Sequence, residues 1–345
     1  MGRANVAPMD LRSRLPMATR LARIRLRGER LPIAARFILT EACPSRCAYC
    51  EYGERAPGEL DTAAWMRLVD ATAALGVRRL CFSGGEPTVR RDLLELVDHA
   101  LARGLEVELN TSGALIDRHP GLLSRLSLLK VSLDGPAEVH DRVRGRAGSH
   151  DEALAAARAG VAAGTRTVLV ATVTAHNVDV IEYVAEQAAA LGALCCFQPV
   201  QDDGWGRVDA RAPHGHPGLA PDPARLALAL DRIDAGIQSG RYRSRHSAAG
   251  LAHARRSPDF PALRCWAGHT FFIVHPDGTL VHCDRSSTPA PRIPVLDGDL
   301  AGALARAGEV HCRGCAFSGA TELNLLLAGR VSVPPALVRL AGGAR

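Results

Sequence analysis

Aromatic side chains are scarce: Phe, Trp and Tyr together make up 4% of the 345 residues. That is too few for the stacking platforms that read single-stranded nucleic acid, so nucleic acid is not expected as a partner. Long apolar runs are missing too. None approaches the roughly 18 residues of a membrane span, and no membrane association is expected. The arginine-rich N-terminus lacks an apolar segment ending in a small-residue cleavage site. No signal peptide is read there, and a cytoplasmic location is expected. In that compartment thiols stay reduced, so the ten cysteines need an explanation other than disulfides.

What is present is a globular composition, with 47% hydrophobic and 23% charged residues. The net charge of +6 comes from arginines interspersed with acids and reads as a solvated surface, with at most an anionic ligand. The chain is long for one core and suits one large unit with a small appendage. Short apolar runs read as strands at Arg36–Thr40, Arg79–Phe82, Glu106–Asn110, Leu128–Leu133, Thr167–Val173 and Ala193–Pro199. Helical patterns lie between them. Leu93, Leu96, Val97, Ala100 and Leu101 share one helical face, and Ala153–Ala163 and Val180–Leu191 are helix-like. Six strands alternating with helices predict a parallel sheet with right-handed crossovers. The stretch is short for an eight-stranded barrel, so the expected α/β fold is a partial (β/α)6 barrel. The organisation read from this is an extension over 1–34, the barrel over 35–222, a helix and linker over 223–262, and a cysteine-rich unit with a tail over 263–345. Ligands of such folds bind at the carboxyl ends of the strands, and the motifs that follow strands matter most.

After the first strand comes Cys43-Pro44-Ser45-Arg46-Cys47-Ala48-Tyr49-Cys50, a C-x3-C-x2-C spacing. Three thiolates on one tight loop can hold three irons of a cubane and leave the fourth open. A structural zinc site would want a fourth protein ligand. This spacing, with an aromatic before the last cysteine, resembles the signature of the radical S-adenosylmethionine (SAM) superfamily, over residues 36–200. The resemblance implies a [4Fe–4S] cluster on Cys43, Cys47 and Cys50, with SAM chelated to the open iron. SAM would be cleaved to a 5′-deoxyadenosyl radical by electrons from an external flavodoxin- or ferredoxin-type reductant. It implies that Tyr49 lies against the adenine; a loop-packing tyrosine is the plainer reading.

Ser83-Gly84-Gly85-Glu86-Pro87 follows the second strand and resembles the superfamily's GGEP motif, which places Gly84, Gly85 and Glu86 at the SAM amino group. Asn110-Thr111-Ser112-Gly113 follows the third strand and resembles its T-N-G segment with altered composition. Ser132-Leu133-Asp134-Gly135-Pro136 and His140-Asp141-Arg142-Val143-Arg144-Gly145 resemble the S-L-D-G-P and H-D-x-x-R-G stretch of members that carry an auxiliary domain. Ser132 and Arg144 are then expected at the SAM carboxylate, which suits an arginine fork. Asp134 and His140 are expected to shape the turn. Gln198, at the end of the sixth strand, is expected to face adenine or substrate.

Cys265 and Cys283 frame an apolar hairpin with a Pro276-Asp277-Gly278 turn, and Cys312-Arg313-Gly314-Cys315 adds a C-x2-C. Four thiolates at these spacings would hold one zinc or one [4Fe–4S] cluster. The spacing also resembles the opening of SPASM and twitch domains. With no cysteine after Cys315, the resemblance implies a twitch domain with one auxiliary [4Fe–4S] cluster, capping the barrel mouth as an electron acceptor. Cys81 and Cys196 read as core residues, and His282 as an exposed strand residue.

No catalytic acid or base is legible; Asp202 and Asp203 are weak candidates. The expected substrate is a specialised metabolite, namely a sugar, cyclitol or nucleoside, undergoing dehydrogenation, epimerisation or decarboxylation. The 34 residues ahead of the barrel are too few for a peptide-recognition domain of roughly 80 residues. A maturase that crosslinks or epimerises a ribosomally made peptide is the alternative. A metal-bearing nucleic-acid-binding module is a remote one.

Overall fold

Alternation along the strands sets the architecture of this chain. In the computed structural model, residues 17–50, 52–53, 56–200, 218–283, 291–309 and 315–331 are described. Asp202, Asp203 and Cys312 lie outside them. Helix α1 (Met17–Arg27) precedes strand β1 (Ala34–Ile38). Five crossovers follow: α2 (Thr62–Ala74) to β2 (Arg79–Ser83), α3 (Leu93–Ala102) to β3 (Glu106–Thr111), an irregular link to β4 (Leu128–Ser132), α4 (Ala137–Arg144) and α5 (Ser149–Ala162) to β5 (Thr167–Val173), and α6 (Glu182–Leu191) to β6 (Leu194–Pro199). Each strand pairs in parallel with the next. Consecutive order with one hand of crossover puts the helices on one side of the sheet and curls it into a partial (β/α)6 barrel.

Every second strand residue packs outward under the helices. Phe37, Phe82, Leu109, Val131, Ala171 and Phe197 all belong to the main apolar core. Their strand neighbours Ile38, Ser83, Asn110, Ser132, Thr172 and Gln198 face the barrel interior and line a cavity. The helix starts are locally specified. Asp61 caps α2 through the Ala64 N–H at 2.8 Å. The face of α3 buries Leu93, Leu96, Val97 and Ala100, while Leu101 is 36% exposed and lies off that face.

The C-terminal part joins the same sheet. Beyond α7 (Pro223–Gln238) and α8 (Ala248–Ala254), strand β7 (Phe271–Val274) pairs in parallel with β1. The predicted hairpin returns as β8 (Thr279–Val281), and β9 (Ile293–Pro294) closes a nine-stranded sheet of order β6-β5-β4-β3-β2-β1-β7-β8-β9. Phe272, Val274 and Leu280 share the main core with the barrel. Residues 240–262, read as linker, carry α8 and buried His246, Ser247 and His253. After α9 (Leu300–Arg306), helix α10 (Ser318–Leu327) meets α1 in a small core of Leu21, Ile24, Trp266, Leu323 and Leu326. His282, expected to be exposed, is 2% exposed, with its Nε2 on the Ala307 carbonyl.

Candidate active site

The cavity holds about 1480 Å³ of empty space, its open mouth included. Cys43, Cys47 and Cys50 line it beyond the carboxyl end of β1, beside Gly84 and Gly85. Two loops are knitted together there. The Gly85 N–H donates to the Thr40 carbonyl and the Glu86 N–H to the Ala42 carbonyl, both at 2.8 Å. A Cβ on Gly85 would sit 2.4 Å from the Ala42 oxygen, and one on Gly84 2.5 Å from the Thr40 oxygen. The two glycines are thus required by the backbone of the cysteine loop itself. Glu59 organises the loop's entry, accepting from the Glu41 N–H at 2.8 Å and from the Thr40 hydroxyl at 2.9 Å. Sequence reasoning missed it, because only the fold brings residue 59 beside residue 41.

Glu86 lies behind this surface and is not among the lining residues. It is 0% exposed, and its carboxylate is filled by donors of the protein. One oxygen accepts from the Thr111 hydroxyl at 2.8 Å and the Thr88 N–H at 3.2 Å, and the other from the Ser112 N–H at 2.7 Å and hydroxyl at 2.6 Å. The motif places Glu86 at the SAM amino group; in the structure its carboxylate is satisfied by these protein donors. Glu86 clamps the exit of β3 to the glycine turn, and Gly84, Gly85, Thr111 and Ser112 face the cavity in its place.

Behind the cysteine loop sits a buried knot. Arg144 Nε donates to Asp134 Oδ2 at 2.6 Å, and the Tyr49 hydroxyl donates to the same oxygen at 3.2 Å. The guanidinium lies 5.6 Å from the Tyr49 ring centroid, with Nη1 3.9 Å from Cys47 Sγ. The backbone follows: the Arg46 N–H donates to the Arg144 carbonyl and the Ala48 N–H to the Val143 carbonyl. Asp134 Oδ1 takes the Thr172 N–H at 2.9 Å, and the Asp134 N–H donates to His140 Nδ1 at 3.0 Å. Asp134 and His140 thus shape this turn. Burial lowers the His140 imidazole to about 4, so it is neutral at pH 7. Tyr49, Ser132, Arg144, Asn110 and Gln198 all line the cavity. Asn110 Oδ1 and Gln198 Oε1 are buried there without a hydrogen-bond partner.

The donor chemistry of the loop fits a cluster. Among the described residues no three His, Cys, Asp or Glu side chains converge on a single ion. A cubane does not ask for that, since each thiolate takes a different iron. Burial pushes the Cys50 thiol up to about 12 and raises that of Cys43, so metal binding must displace those protons.

Cys265 and Cys283 lie at the other end of the barrel. They pack with Ala34 and Phe271, the first residues of β1 and β7, because β8 runs antiparallel and carries Cys283 downward. At ~3.3 Å per residue, the five residues of β1 put roughly 16 Å between the two ends. The expectation that these cysteines cap the mouth is corrected: Cys283 lines the cavity at its floor. Cys315 is held by α10, whose Thr321 hydroxyl donates to its carbonyl at 2.9 Å.

Cys196 is a core residue as expected, 1% exposed and packed with Leu128, Val168 and Leu194. It faces the cavity, whereas its neighbour Cys195 faces the helices. Its Sγ lies 3.6 Å from His246 Nε2 and 3.4 Å from Ser318 Oγ. The parity of the strand, with Gln198 two residues on, was the available signal.

A mostly parallel α/β barrel, with a three-cysteine loop beside a double-glycine turn at its carboxyl end, defines an enzyme class. Residues 37–188 match the Radical SAM superfamily. Similar proteins include the PqqA peptide cyclase of Granulibacter bethesdensis, 32% identical over 267 residues, which covers 72% of this chain and 67% of the relative. The mycofactocin maturase MftC of Mycobacterium ulcerans is 37% identical over 262 residues, covering 73% and 68%. The chain belongs to the radical SAM superfamily, and with that membership come a [4Fe–4S] cluster and SAM. Among solved structures, Streptococcus suis SuiB with S-adenosylmethionine has a TM-score of 0.63 at 15% identity, covering 83% of this chain and 68% of SuiB. The enzyme anSMEcpe with AdoMet has a TM-score of 0.61 at 18% identity, covering 80% and 81%. Their likeness is one of fold. The sequence relatives overturn the expectation of a sugar, cyclitol or nucleoside substrate, because they are named for peptide cyclisation and maturation. That expectation rested on the short segment before β1, which does not discriminate between substrate classes. No helix among the described residues is long and apolar enough to cross a membrane.

Proposed function

We propose that this chain modifies a ribosomally made peptide by radical SAM chemistry, forming a crosslink or changing a stereocentre. The observation that carries the reading is one cavity running from the Cys43–Cys50 loop to Cys283, in a chain whose relatives are named as a peptide cyclase, at 32% identity, and a mycofactocin maturase, at 37%.

Cys43, Cys47 and Cys50 would hold the catalytic [4Fe–4S] cluster, which with SAM supplies a primary carbon radical able to take a hydrogen atom from the substrate. The protein's own contribution is positional. Gly84 and Gly85 let a ligand approach the backbone closely, and Ser132 and Arg144 would meet the SAM carboxylate. Asn110 Oδ1 and Gln198 Oε1 would accept N–H donors, and Tyr49 would bound the adenine side. Glu86 and Asp134 position these groups without touching the ligand. Val170, Ile273 and Phe317 exclude water from the wall, which limits quenching of the radical. Cys265, Cys283, Cys312 and Cys315 would hold an auxiliary [4Fe–4S] cluster of the twitch type. A flavodoxin- or ferredoxin-type protein would supply electrons.

The test has two parts. Anaerobic reconstitution should give about eight irons per chain, and about four in a Cys43/Cys47/Cys50→Ala variant. The holoenzyme is then incubated with SAM, a reductant and each short peptide that its gene neighbourhood is found to encode. The expected products are 5′-deoxyadenosine and a peptide that has lost two hydrogens, or has gained solvent deuterium at an inverted centre. Release of 5′-deoxyadenosine that no encoded peptide stimulates, with every peptide returned unchanged, would overturn the reading.

A further inference from the structure

Among the described residues, four cations line the cavity, Arg36, Lys130, Arg144 and Arg245, and no Asp or Glu does. Arg144 is committed to Asp134 at the rim. The other three lie deeper. Arg36 precedes Ile38 by one inward-facing step on β1, and Lys130 precedes Ser132 in the same way on β4. Arg245 follows Ser244, which bridges to Cys195 near the start of β6.

Among the described residues, the carboxylate that pairs with this group is Glu108. Glu108 is 6% exposed and meets Lys130 Nζ at 2.6 Å and Arg79 Nη1 at 3.4 Å. Lys130, Arg79 and Arg245 all act on that one charge. Arg36 has no ion pair or hydrogen bond among the described residues; its guanidinium rests 4.6 Å from the centroid of Phe317. Positive charge in excess at a half-buried wall is unfavourable until an anion meets it. The same cavity holds the unpartnered acceptors Asn110 Oδ1 and Gln198 Oε1. A ligand that satisfies this wall therefore carries both an anionic group and N–H donors. Amino-acid residues with a free carboxylate have both.

We propose that Arg36, Lys130 and Arg245 form an anion subsite deep in the cavity that takes a carboxylate of the substrate peptide, from an acidic side chain or from the C-terminus. Planar guanidinium forks match carboxylates in two parallel hydrogen bonds. The subsite fixes which residue of the peptide reaches the reacting end of the cavity. The inference rests on the peptide-modifying reading, and it deepens that reading.

The test is binding to the SAM-loaded, eight-iron holoenzyme, followed anaerobically by saturation-transfer NMR. Three probes are used: N-acetylglutamate amide (side-chain carboxylate only), N-acetylglutamine (terminal carboxylate only) and N-acetylglutamine amide (neutral). One carboxylate probe should bind about tenfold more tightly than the neutral one, as a charged hydrogen-bond pair predicts. Whichever binds identifies the source. Arg36→Gln and Arg245→Gln should each abolish that preference, and Arg36→Lys should restore part of it. SAM affinity and iron content should stay within twofold of wild type in all three variants. Equal binding of all probes overturns the subsite. So does a loss of SAM or of iron in Arg36→Gln, which would mean that the cations serve SAM or the auxiliary cluster. If carboxylates bind but no encoded peptide is modified, the peptide reading fails and the subsite stands. If a peptide is modified while the probes show no preference, the subsite alone fails.

Discussion

Arg144 Nε donates to Asp134 Oδ2 at 2.6 Å, where Asp134 is 0% exposed, and this pair fastens the end of α4 to the turn after β4. The cysteine loop hangs on the same point through Tyr49 and two backbone hydrogen bonds. Removing Arg144 would strand a buried carboxylate. Arg144→Met should cost about 3–5 kcal/mol of stability, the usual penalty for breaking a buried pair. Asp134→Asn should cost less, since the carboxamide oxygen of the variant side chain can still accept from the Thr172 N–H. Anaerobic urea unfolding of both variants checks this order. An Arg144→Met protein as stable as wild type would mean that the pair is dispensable to the fold.

Glu86 separates a positioning role from a ligand contact. Its carboxylate meets only donors, from Thr88, Thr111 and Ser112. Glu86→Gln puts an NH2 against one set of those donors and should cost about 2–3 kcal/mol. SAM affinity should fall in parallel, because the β3 exit loses its anchor. Calorimetric SAM binding, set beside urea unfolding, tests this. A variant with wild-type stability that binds SAM poorly would restore a direct contact.

At Gly85 the constraint is steric. A Cβ there meets the backbone oxygens of Ala42 and Glu41 at 2.4 and 2.5 Å, and neither can yield without moving the cysteine loop. Gly85→Ala should therefore lower iron incorporation at the Cys43 loop, leaving about four irons per chain if the auxiliary cysteines hold a cluster. The far end of the barrel should melt as in wild type. Iron analysis with circular dichroism melting checks both statements. Full iron content in Gly85→Ala would show that the loop can shift.

Much of this was legible in the sequence because it depends on local pattern. The apolar run Thr167–Val173 and the Pro276-Asp277-Gly278 turn each fix an element without reference to distant residues. β1 ends at Ile38 rather than Thr40, since Leu39 and Thr40 already belong to the knot with Ser83, Gly85 and Glu59. What stayed hidden depends on which residues meet. The GGEP pattern is visible, but the filling of the Glu86 carboxylate needs Thr111 and Ser112, which lie 25 and 26 positions away. The place of Cys283 needs the pairing of β7 with β1, which brings Cys265 and Cys283 to the first residues of those strands. Cys196 is core, as its apolar strand says, but only the curl of the sheet shows that its parity also faces the cavity.

The acid side of the stability curve carries two buried groups of the same sign. Burial holds His140 at about 4, below the roughly 6.5 of an unfolded histidine. Between those values the unfolded chain binds more protons, so this stability is present above about pH 6.5 and is lost as pH falls through about 4. Burial alone would raise the Glu108 carboxyl. Lys130, Arg79 and Arg245 outweigh it and hold the group far below its ordinary value. Its contribution is present above the unfolded value of about 4.3 and is lost only below that. The two are therefore separable by pH. His140→Asn keeps an acceptor for the Asp134 N–H and has no titrating ring. It should flatten the slope of unfolding free energy between about pH 6.5 and 4, by at most about 3 kcal/mol in all, and leave the loss below pH 4.3 that comes from Glu108 in place. Glu108→Gln should do the reverse, and should also lower stability at pH 7 by leaving Lys130 and Arg79 without their partner. Chemical denaturation of the three proteins across that range decides the point. A His140→Asn slope identical to wild type would show that the imidazole is not held neutral by its burial.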